Sequence, residues 1–448
     1  MKIVLHPFYK KMALALFSAG VSYLFLVLWL IPLHAILIST ILFLVIIWTN
    51  EALPLGVVSL LPLLLFPSFG VMDLNSVAPN YSKSIIFLFL GGFFLAIAVE
   101  KTKLHITVVN KLLKMFPLSI GGLMYALFIT SALMSSLLSN TTTTLLLVPV
   151  VLALSEVTQL RVRFLLSIAY GASVGGVLTP IGTAPNMLLL GFVESHELLH
   201  FNFIEWVGAM FPLVVLMMIT LPYILTLGVE KKHLHSINEH KTHFDFAQKK
   251  VAAIISIMAA ILFLNAPIEP YYSGLGLNEK MILLGFGLLM FVPQFGVLEW
   301  SDSKKVPYEI IFLFGAGFSI AAAMQSTGLA DLVANLLNSF ASLPLVVLLA
   351  LTSMLVIFST EITSNTALTS VMLPIIFAFG MSNNLDTNLL LLVATVSASF
   401  AFMLPIATPP NAIVMSSGAI KITDMMKFGL LFNIIGVIFI VIIALIFW

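Results

Sequence analysis

The triplet Ser139-Asn140-Thr141 occurs twice in the sequence: it returns as Ser364-Asn365-Thr366, at an offset of 225 residues. Both copies lie within long apolar tracts. A proline follows each copy at the same distance, Pro149 after the first and Pro374 after the second. A polar triplet that interrupts apolar sequence twice, with the same neighbour, indicates two related structural units.

A second repeated motif has the same offset. The segment Pro180-Ile181-Gly182-Thr183-Ala184-Pro185-Asn186 corresponds to Pro405-Ile406-Ala407-Thr408-Pro409-Pro410-Asn411. Nearer the N-terminus, the sequence IIFL at residues 85–88 returns at residues 310–313. Matches in one register indicate an internal duplication, and a period this long indicates two repeated halves rather than a solenoid.

The composition is that of an all-α polytopic membrane protein. Of 448 residues, 60% are hydrophobic and 9% are charged, and many apolar runs are long enough to cross a bilayer. A β-barrel would show alternating segments of about ten residues instead. The chain has no cysteine, which excludes disulfides and thiolate metal sites. Its net charge of +1 argues against nucleic acid as a partner.

The pattern of apolar runs divides the chain into four parts. Two N-terminal helices, at about 12–31 and 33–48, belong to neither repeat, and the first is read as a retained helix rather than a signal peptide. A polar segment separates the two repeats. The predicted parts are N-terminal scaffold helices at 1–50, repeat one at 51–228, a cytoplasmic linker at 229–250 and repeat two at 251–448.

Each Ser-Asn-Thr triplet separates two apolar arms, at 117–154 and at 343–380. The arms are either a pair of membrane-spanning helices or one re-entrant hairpin. A spanning pair would leave the two triplets at opposite faces of the membrane, whereas hairpins bring both to the midplane. Irregular backbone is tolerated there only where it lines a protein cavity. The hairpin is favoured, because the two triplets then belong to one site.

The second motif predicts a broken helix in each repeat, at 163–195 and at 389–420. Proline cannot continue a helix but suits the first turn of a new one, so Pro185 and Pro409-Pro410 mark the starts of second half-helices. Together with the hairpins, the apolar runs predict eleven transmembrane helices plus two re-entrant hairpins.

The basic residues predict the orientation of the chain. With a cytoplasmic N-terminus, every Lys and Arg except Lys83 and Lys280 falls inside, and the C-terminus lies outside. An odd number of crossings separates the repeats, so the repeats have inverted topology. Inverted repeats whose broken helices meet at the midplane are typical of secondary transporters. We therefore expect a multi-pass protein of the cell inner membrane.

The predicted site has no basic side chain deep in the membrane, yet it offers positive charge. New helices are expected to begin just after Asn140, Thr183, Asn365 and Thr408. Each free helix N-terminus carries about half a positive charge, so four supply roughly two, which suits a dianion. Ser, Thr and Asn oxygens together with unwound carbonyls also suit a cation such as sodium.

These paired motifs, together with Glu51-Ala52-Leu53-Pro54, resemble those of the divalent anion/sodium symporter family over nearly the whole chain. The resemblance implies a homodimer in which a transport domain moves like an elevator against a scaffold. It also implies sodium-coupled import of C4-dicarboxylates of the succinate, malate and fumarate type.

The resemblance also implies roles for individual residues. The expected substrate contacts are Ser139, Asn140, Thr141, Ser364, Asn365, Thr366, Thr183, Thr408 and Pro409. One sodium site is expected at Ser135, Ser139, Asn140 and Gly182, and the other at Thr360, Ser364, Asn365 and Ala407. The family usually has two prolines in the first break, and Ala184 departs from that pattern.

Other interpretations of the sequence remain open. The fold also suits a sodium-independent dicarboxylate exchanger, or a transporter of sulfate or tricarboxylates. A rival from the enzyme class is an intramembrane metalloprotease, since residues 196–200 read HELLH and fit the HExxH zinc motif. Glu361, beside the second triplet, either relays protons or is hydrogen-bonded within its hairpin.

Overall fold

The computed structural model describes residues 7–117, 119–155, 157–198, 201–229, 244–267 and 271–448. These residues form helices and turns, with no β-strand among them. The α-helices in chain order are α1 (Pro7–Leu26), α2 (Pro32–Asn50), α3 (Leu55–Ser68), α4 (Leu74–Val77), α5 (Ser84–Lys101), α6 (Leu104–Lys114), α7 (Ile120–Ser135), α8 (Asn140–Leu154), α9 (Thr158–Val177), α10 (Ala184–Ser195), α11 (Phe203–Thr226), α12 (Phe246–Asn265), α13 (Glu279–Leu289), α14 (Tyr308–Ser326), α15 (Leu329–Leu336), α16 (Leu345–Thr360), α17 (Asn365–Ser382), α18 (Thr387–Ala398), α19 (Pro409–Ser416) and α20 (Ile422–Phe447). Three short 3₁₀-helices lie at Ala78–Ser82, Trp300–Lys305 and Asn338–Phe340.

Length and hydropathy identify the helices that suit a bilayer. Within the described ranges, eight helical segments are long and apolar enough to cross a membrane. Helices α7, α8, α16 and α18 are apolar but shorter. Apolar composition on all faces predicts helices that pack inside a bundle or face lipid. The all-α polytopic prediction is therefore confirmed, while the total of eleven transmembrane helices stays a prediction.

Helices α9 and α18 run through the centre of the protein. In α9, 89% of an apolar stretch of 18 residues is buried inside the protein. Every residue of α18 from Leu389 to Ala398 is buried. Helix α7 packs along α9, and α16 packs along α18. Each half therefore places the first arm of a hairpin against the first half of a broken helix.

Charged side chains gather at both ends of α5. At its start, Lys83 donates to Ser195 Oγ at 2.9 Å, and Lys280 forms an ion pair with Glu194. At its end, Lys101 pairs with Asp302 at 2.6 Å. The apolar body of α5 thus lies between two polar ends, as expected of a helix that crosses a membrane. The two lysines predicted to lie outside share one end of the molecule.

Some boundaries differ from those that the sequence predicts. Helix α9 begins at Thr158 rather than at residue 163. Arg161 and Arg163 lie within its first two turns and donate to the carbonyls of Ser155 and Leu225. The charged segment that follows α5 forms a further helix, α6. Of the predicted linker at 229–250, residues 230–243 lie outside the described residues.

Candidate functional site

The first hairpin turns at residues 136–139, between α7 and α8. We call this turn tip one. Ser139 caps α8, because its Oγ accepts a hydrogen bond from Thr142 N at 3.1 Å. Ser135 Oγ donates to Asn140 Oδ1 across the turn. These bonds hold the first residue of α8, Asn140, against the end of α7.

The first broken helix is interrupted between α9 and α10, at residues 178–183, which we call break one. Thr179 Oγ1 donates to the carbonyl of Ser136 and so joins break one to tip one. The backbones of Gly176 and Gly182 lie against each other, and a Cβ on Gly176 would be 2.8 Å from Asn140 Oδ1. Ser135, Asn140 and Gly182, three of the four residues expected at one sodium site, therefore lie in one cluster.

The second hairpin turns at residues 361–364, between α16 and α17, which we call tip two. Asn365 begins α17, and its Oδ1 accepts from Thr366 N at 2.8 Å. Ser364 occupies the cap position, but its side chain makes no capping bond. Thr360 Oγ1 donates to the carbonyl of Ala398, at the end of α18, at 3.2 Å. Tip two is thus tied to its broken helix through Thr360.

The second interruption, break two, covers residues 399–408 between α18 and α19. The buried carboxylate of Glu361 accepts from Met403 N at 2.8 Å and from Leu404 N at 2.9 Å. The same carboxylate accepts from Asn433 Nδ2 of α20 at 2.7 Å. Every bond described for Glu361 therefore ties tip two to break two or to α20.

The two halves of the site interlock. Helix α8 packs against α19, and α10 packs against α17. Each hairpin's outgoing helix therefore lies against the second half-helix of the other repeat. Helices α8 and α17 begin at Asn140 and Asn365, one residue earlier than predicted, and α10 and α19 begin directly after Thr183 and Thr408, as predicted. None of these helices contains Lys or Arg.

The predicted substrate residues differ in exposure. Thr183, Thr408 and Thr366 are buried, whereas Asn140, Thr141, Ser364 and Asn365 are half-buried and Ser139 and Pro409 are exposed. The buried Thr408 Oγ1 has no hydrogen-bond partner among the described residues. The half-buried and exposed side chains at the tips are the ones available to a ligand.

Several residues of the site were not assigned a role from the sequence. They are Thr179, Asn186, Asn411 and Asn433. Asn186 and Asn411 carried a signal, because each ends the repeated break motif. Asn433 lies in an apolar helix and carries no sequence signal beyond its polarity.

A cavity elsewhere in the protein has the wrong chemistry for a dianion. A groove of about 490 Å³ lies between α1, α2 and α3, with Leu16, Phe43 and Leu65 in its lining. Its walls are almost entirely apolar, and it does not include the tips or the breaks. The candidate site is therefore the cluster of tips and breaks.

The HExxH segment does not form a metal centre in the part of the chain that the structure describes. His196 ends α10, where its Nδ1 lies 2.8 Å from the carbonyl of Phe192 and its Nε2 lies 3.2 Å from Gln325 Oε1. His200 lies outside the described residues. Among the described residues, no group of three or more His, Asp or Glu side chains could hold a metal ion.

Known proteins resemble the chain in sequence and in fold. The citrate transporter family matches residues 41–396. The chain is 29% identical over 435 residues to the sodium-dependent dicarboxylate transporter SdcS of Staphylococcus saprophyticus, which covers 89% of this chain and 83% of the relative. It is 26% identical over 434 residues to the protein of the same name from Staphylococcus aureus USA300, covering 89% of this chain and 82% of that protein.

A solved structure has a similar fold. The crystal structure of the YdaH transporter of Alcanivorax borkumensis matches with a TM-score of 0.57 and 15% sequence identity. The match covers 82% of this chain and 86% of that chain. At this identity the likeness shows the all-helical transporter fold alone.

Proposed function

Since the chain belongs to the citrate transporter family, as the sequence resemblance predicted, we propose that it is a sodium-coupled symporter that imports C4-dicarboxylates. Because the family consists of transporters, the metalloprotease alternative is excluded. The relatives described above are sodium-dependent dicarboxylate transporters by name, which supports both the substrate class and sodium as the coupling ion.

The observation that carries the proposal is the set of four helix starts in two interlocked tip-and-break pairs. Helices α8, α10, α17 and α19 contain no Lys or Arg, so the positive charge at the site comes from helix N-termini. Four such ends supply roughly two positive charges, equal and opposite to the charge of a dicarboxylate. A hydroxyl- and amide-rich lining then gives hydrogen bonds to the carboxylate oxygens.

We assign one carboxylate group of the substrate to each tip. Ser139, Asn140 and Thr141 contact one group, and Ser364, Asn365 and Thr366 contact the other, while Thr183, Thr408 and Pro409 line the space between them. The contacts among Ser135, Asn140 and Gly182 support a sodium site between tip one and break one. Thr360, Ser364, Asn365 and Ala407 form the second sodium site.

The cycle follows from these assignments. Sodium binds first and orders the tips, the dianion then bridges them, and the loaded transport domain crosses the membrane as a unit. In this proposal the tips are re-entrant hairpins of inverted repeats, and the protein is an elevator-type homodimer of the inner membrane. Its N-terminus lies in the cytoplasm and its C-terminus outside.

Uptake of radiolabelled succinate into proteoliposomes tests the proposal. We expect uptake that requires an inward sodium gradient and stops when potassium replaces sodium. Uptake that ignores sodium but needs succinate inside the vesicle would identify an exchanger and remove both sodium sites. Competition by malate, citrate and sulfate then separates dicarboxylates from tricarboxylates and inorganic anions.

The shared site makes a further prediction. Asn140→Ala and Asn365→Ala should each abolish sodium-driven uptake while the purified protein stays folded, because each removes a ligand of both the substrate and a sodium ion. Asn338→Ala is the matched control, since Asn338 is exposed and bonds no tip or break residue: it donates to Asn335 Oδ1 at 3.2 Å and accepts from Asn383 Nδ2 at 2.9 Å among the described residues. Wild-type uptake by either site variant would contradict a site built from both tips.

A further inference from the structure

Asn186 and Asn411 occupy equivalent positions in the two broken helices. Each is the third residue of its second half-helix, α10 for Asn186 and α19 for Asn411. Both side chains are fully buried, at 0% exposure. A buried amide at the same place in both repeats requires hydrogen-bond partners at both places.

The two amides have two equivalent bonds, and Asn186 Nδ2 also donates to the carbonyl of Val177 at 3.5 Å. Asn186 Nδ2 donates to the carbonyls of Gly176 at 3.1 Å and Thr179 at 2.9 Å. Asn411 Nδ2 donates to the carbonyls of Ala401 and Leu404, both at 3.0 Å. The acceptors lie ten and seven residues before the asparagine in each repeat. Each amide therefore joins the start of a second half-helix to the backbone that ends the first.

The second acceptor in each repeat is also the residue that contacts the hairpin tip. Thr179 Oγ1 donates to the carbonyl of Ser136, and Leu404 N donates to Glu361 Oε2 at 2.9 Å. A continuous chain of hydrogen bonds thus runs from Asn186 through Thr179 to tip one. The equivalent chain runs from Asn411 through Leu404 to tip two.

The physical need for these amides comes from the breaks. The last carbonyls of a helix have no partner within that helix, and a buried carbonyl without a partner is costly. The carbonyl of Gly176 lies in the last turn of α9, and those of Thr179, Ala401 and Leu404 lie within the breaks, where no helix continues to supply a partner. The amide hydrogens bond two of these carbonyls in each repeat. The Oδ1 atoms of Asn186 and Asn411 have no hydrogen-bond partner among the described residues, so the donor atoms make the connection.

We propose that Asn186 and Asn411 are positioning residues that hold the start of each second half-helix in register with its hairpin tip, and that this register sets the affinity for sodium. This inference rests on the proposed sodium-coupled symport. Both sodium sites combine tip atoms with break atoms, so a shift of one part against the other separates the ligands of a single ion.

Substitution with alanine and aspartate tests the inference in reconstituted, purified full-length protein. Asn186→Ala removes the whole amide, whereas the isosteric Asn186→Asp keeps Oδ1 and replaces the donor with an oxygen that faces two carbonyl oxygens. We expect both variants to raise the sodium concentration for half-maximal succinate uptake by about tenfold. The maximal rate at saturating sodium should stay within about twofold of wild type. Asn411→Ala and Asn411→Asp should have the same effects as the corresponding Asn186 variants.

The design separates positioning from the other roles of an asparagine. If Oδ1 were itself a sodium ligand, Asn186→Asp would keep or strengthen sodium binding while Asn186→Ala weakened it, and the inference would be wrong. A purely structural amide would lower the melting temperature and leave the half-saturating sodium concentration unchanged. Loss of folded protein in both variants at both positions would likewise assign the amides to folding alone.

Two controls complete the experiment. Asn80→Ala removes a buried amide that donates to Ser76 O at 3.2 Å, far along the chain from both breaks, and should leave the sodium dependence unchanged. Wild-type protein whose uptake ignores sodium would refute the proposed symport itself. A sodium-dependent wild type whose asparagine variants show unchanged sodium dependence would refute only the positioning role.

Discussion

Tip one and tip two are joined to their breaks through the same pair of positions, but the side chain comes from opposite partners. In repeat one the break supplies the side chain, because Thr179 Oγ1 donates to the backbone carbonyl of Ser136. In repeat two the tip supplies it, because Glu361 accepts from the backbone N–H of Leu404. Adding 225 to 136 and 179 gives 361 and 404. The contact is therefore kept while the chemistry that makes it has changed.

The packing behind the two tips also differs between the repeats. In repeat one, Gly171 and Gly175 let the backbone of α9 approach α7 so closely that an added Cβ would overlap the carbonyls of Phe128 and Ala132. The counterpart of Gly175 in repeat two is the buried Phe400. In repeat one the tip is thus supported by close backbone contact, and in repeat two it is supported by side chains and a buried carboxylate. The two Ser-Asn-Thr triplets are identical while their support has diverged.

Gly175→Ala should have the largest effect of the changes that probe this difference. The new Cβ would meet the backbone of Ala132, which cannot move as a flexible side chain could. Overpacking typically costs about 1–3 kcal/mol and sometimes more, and we expect the upper end, with little folded protein. Gly208→Ala is the control, since a Cβ at Gly208 meets nothing within 4 Å. Thermal unfolding in detergent compares them, and equal stability would contradict the close α7–α9 packing.

Glu361→Ala should have the next largest effect. It leaves Met403 N, Leu404 N and Asn433 Nδ2 without their acceptor inside the protein. Unpaired buried donors cost about 1–3 kcal/mol each, partly offset because a buried charge is also removed, so we expect a net loss of about 2 kcal/mol.

The counterpart Ser136→Ala provides the comparison for Glu361→Ala. It removes only the bond from Ser136 Oγ to Leu133 O, and the carbonyl that Thr179 contacts remains. Its cost should therefore stay within about 1 kcal/mol. Chemical or thermal unfolding of both purified variants measures these two losses of stability. If the two changes destabilise the protein equally, the carboxylate is not the specific support of tip two.

The sequence predicted the parts of this site that are encoded locally. Ser139 and Ser364 mark helix starts, and Pro185 and Pro409 mark the second half-helices, because capping residues and proline act within a few positions of the chain. The repeat offset then related the two halves. These signals located the tips, the breaks and the four helix starts.

The remaining features depend on contacts between distant segments. Asn433 meets Glu361 across 72 residues, and Thr179 meets Ser136 across 43. A single sequence does not state which buried polar groups will find one another. The sequence therefore leaves two roles for Glu361 open, whereas in the structure its three donors belong to break two and α20 rather than to its own hairpin.

Thr179→Val should have the smallest effect, and it addresses the comparison most directly. The change is nearly isosteric and removes one donor, so Ser136 O loses its bond from break one, which costs about 1 kcal/mol. Thr395→Val is the matched control, because the buried Thr395 Oγ1 has no partner among the described residues. Replacing that hydroxyl with a methyl group should be neutral or stabilising. The unfolding midpoint of Thr179→Val should therefore be lower than that of Thr395→Val. Equal midpoints would mean that the Thr179 bond does not stabilise tip one. A lower midpoint for Thr179→Val than for Thr395→Val, together with the loss of stability expected for Glu361→Ala, would establish that both repeats need this contact, whichever partner supplies the side chain.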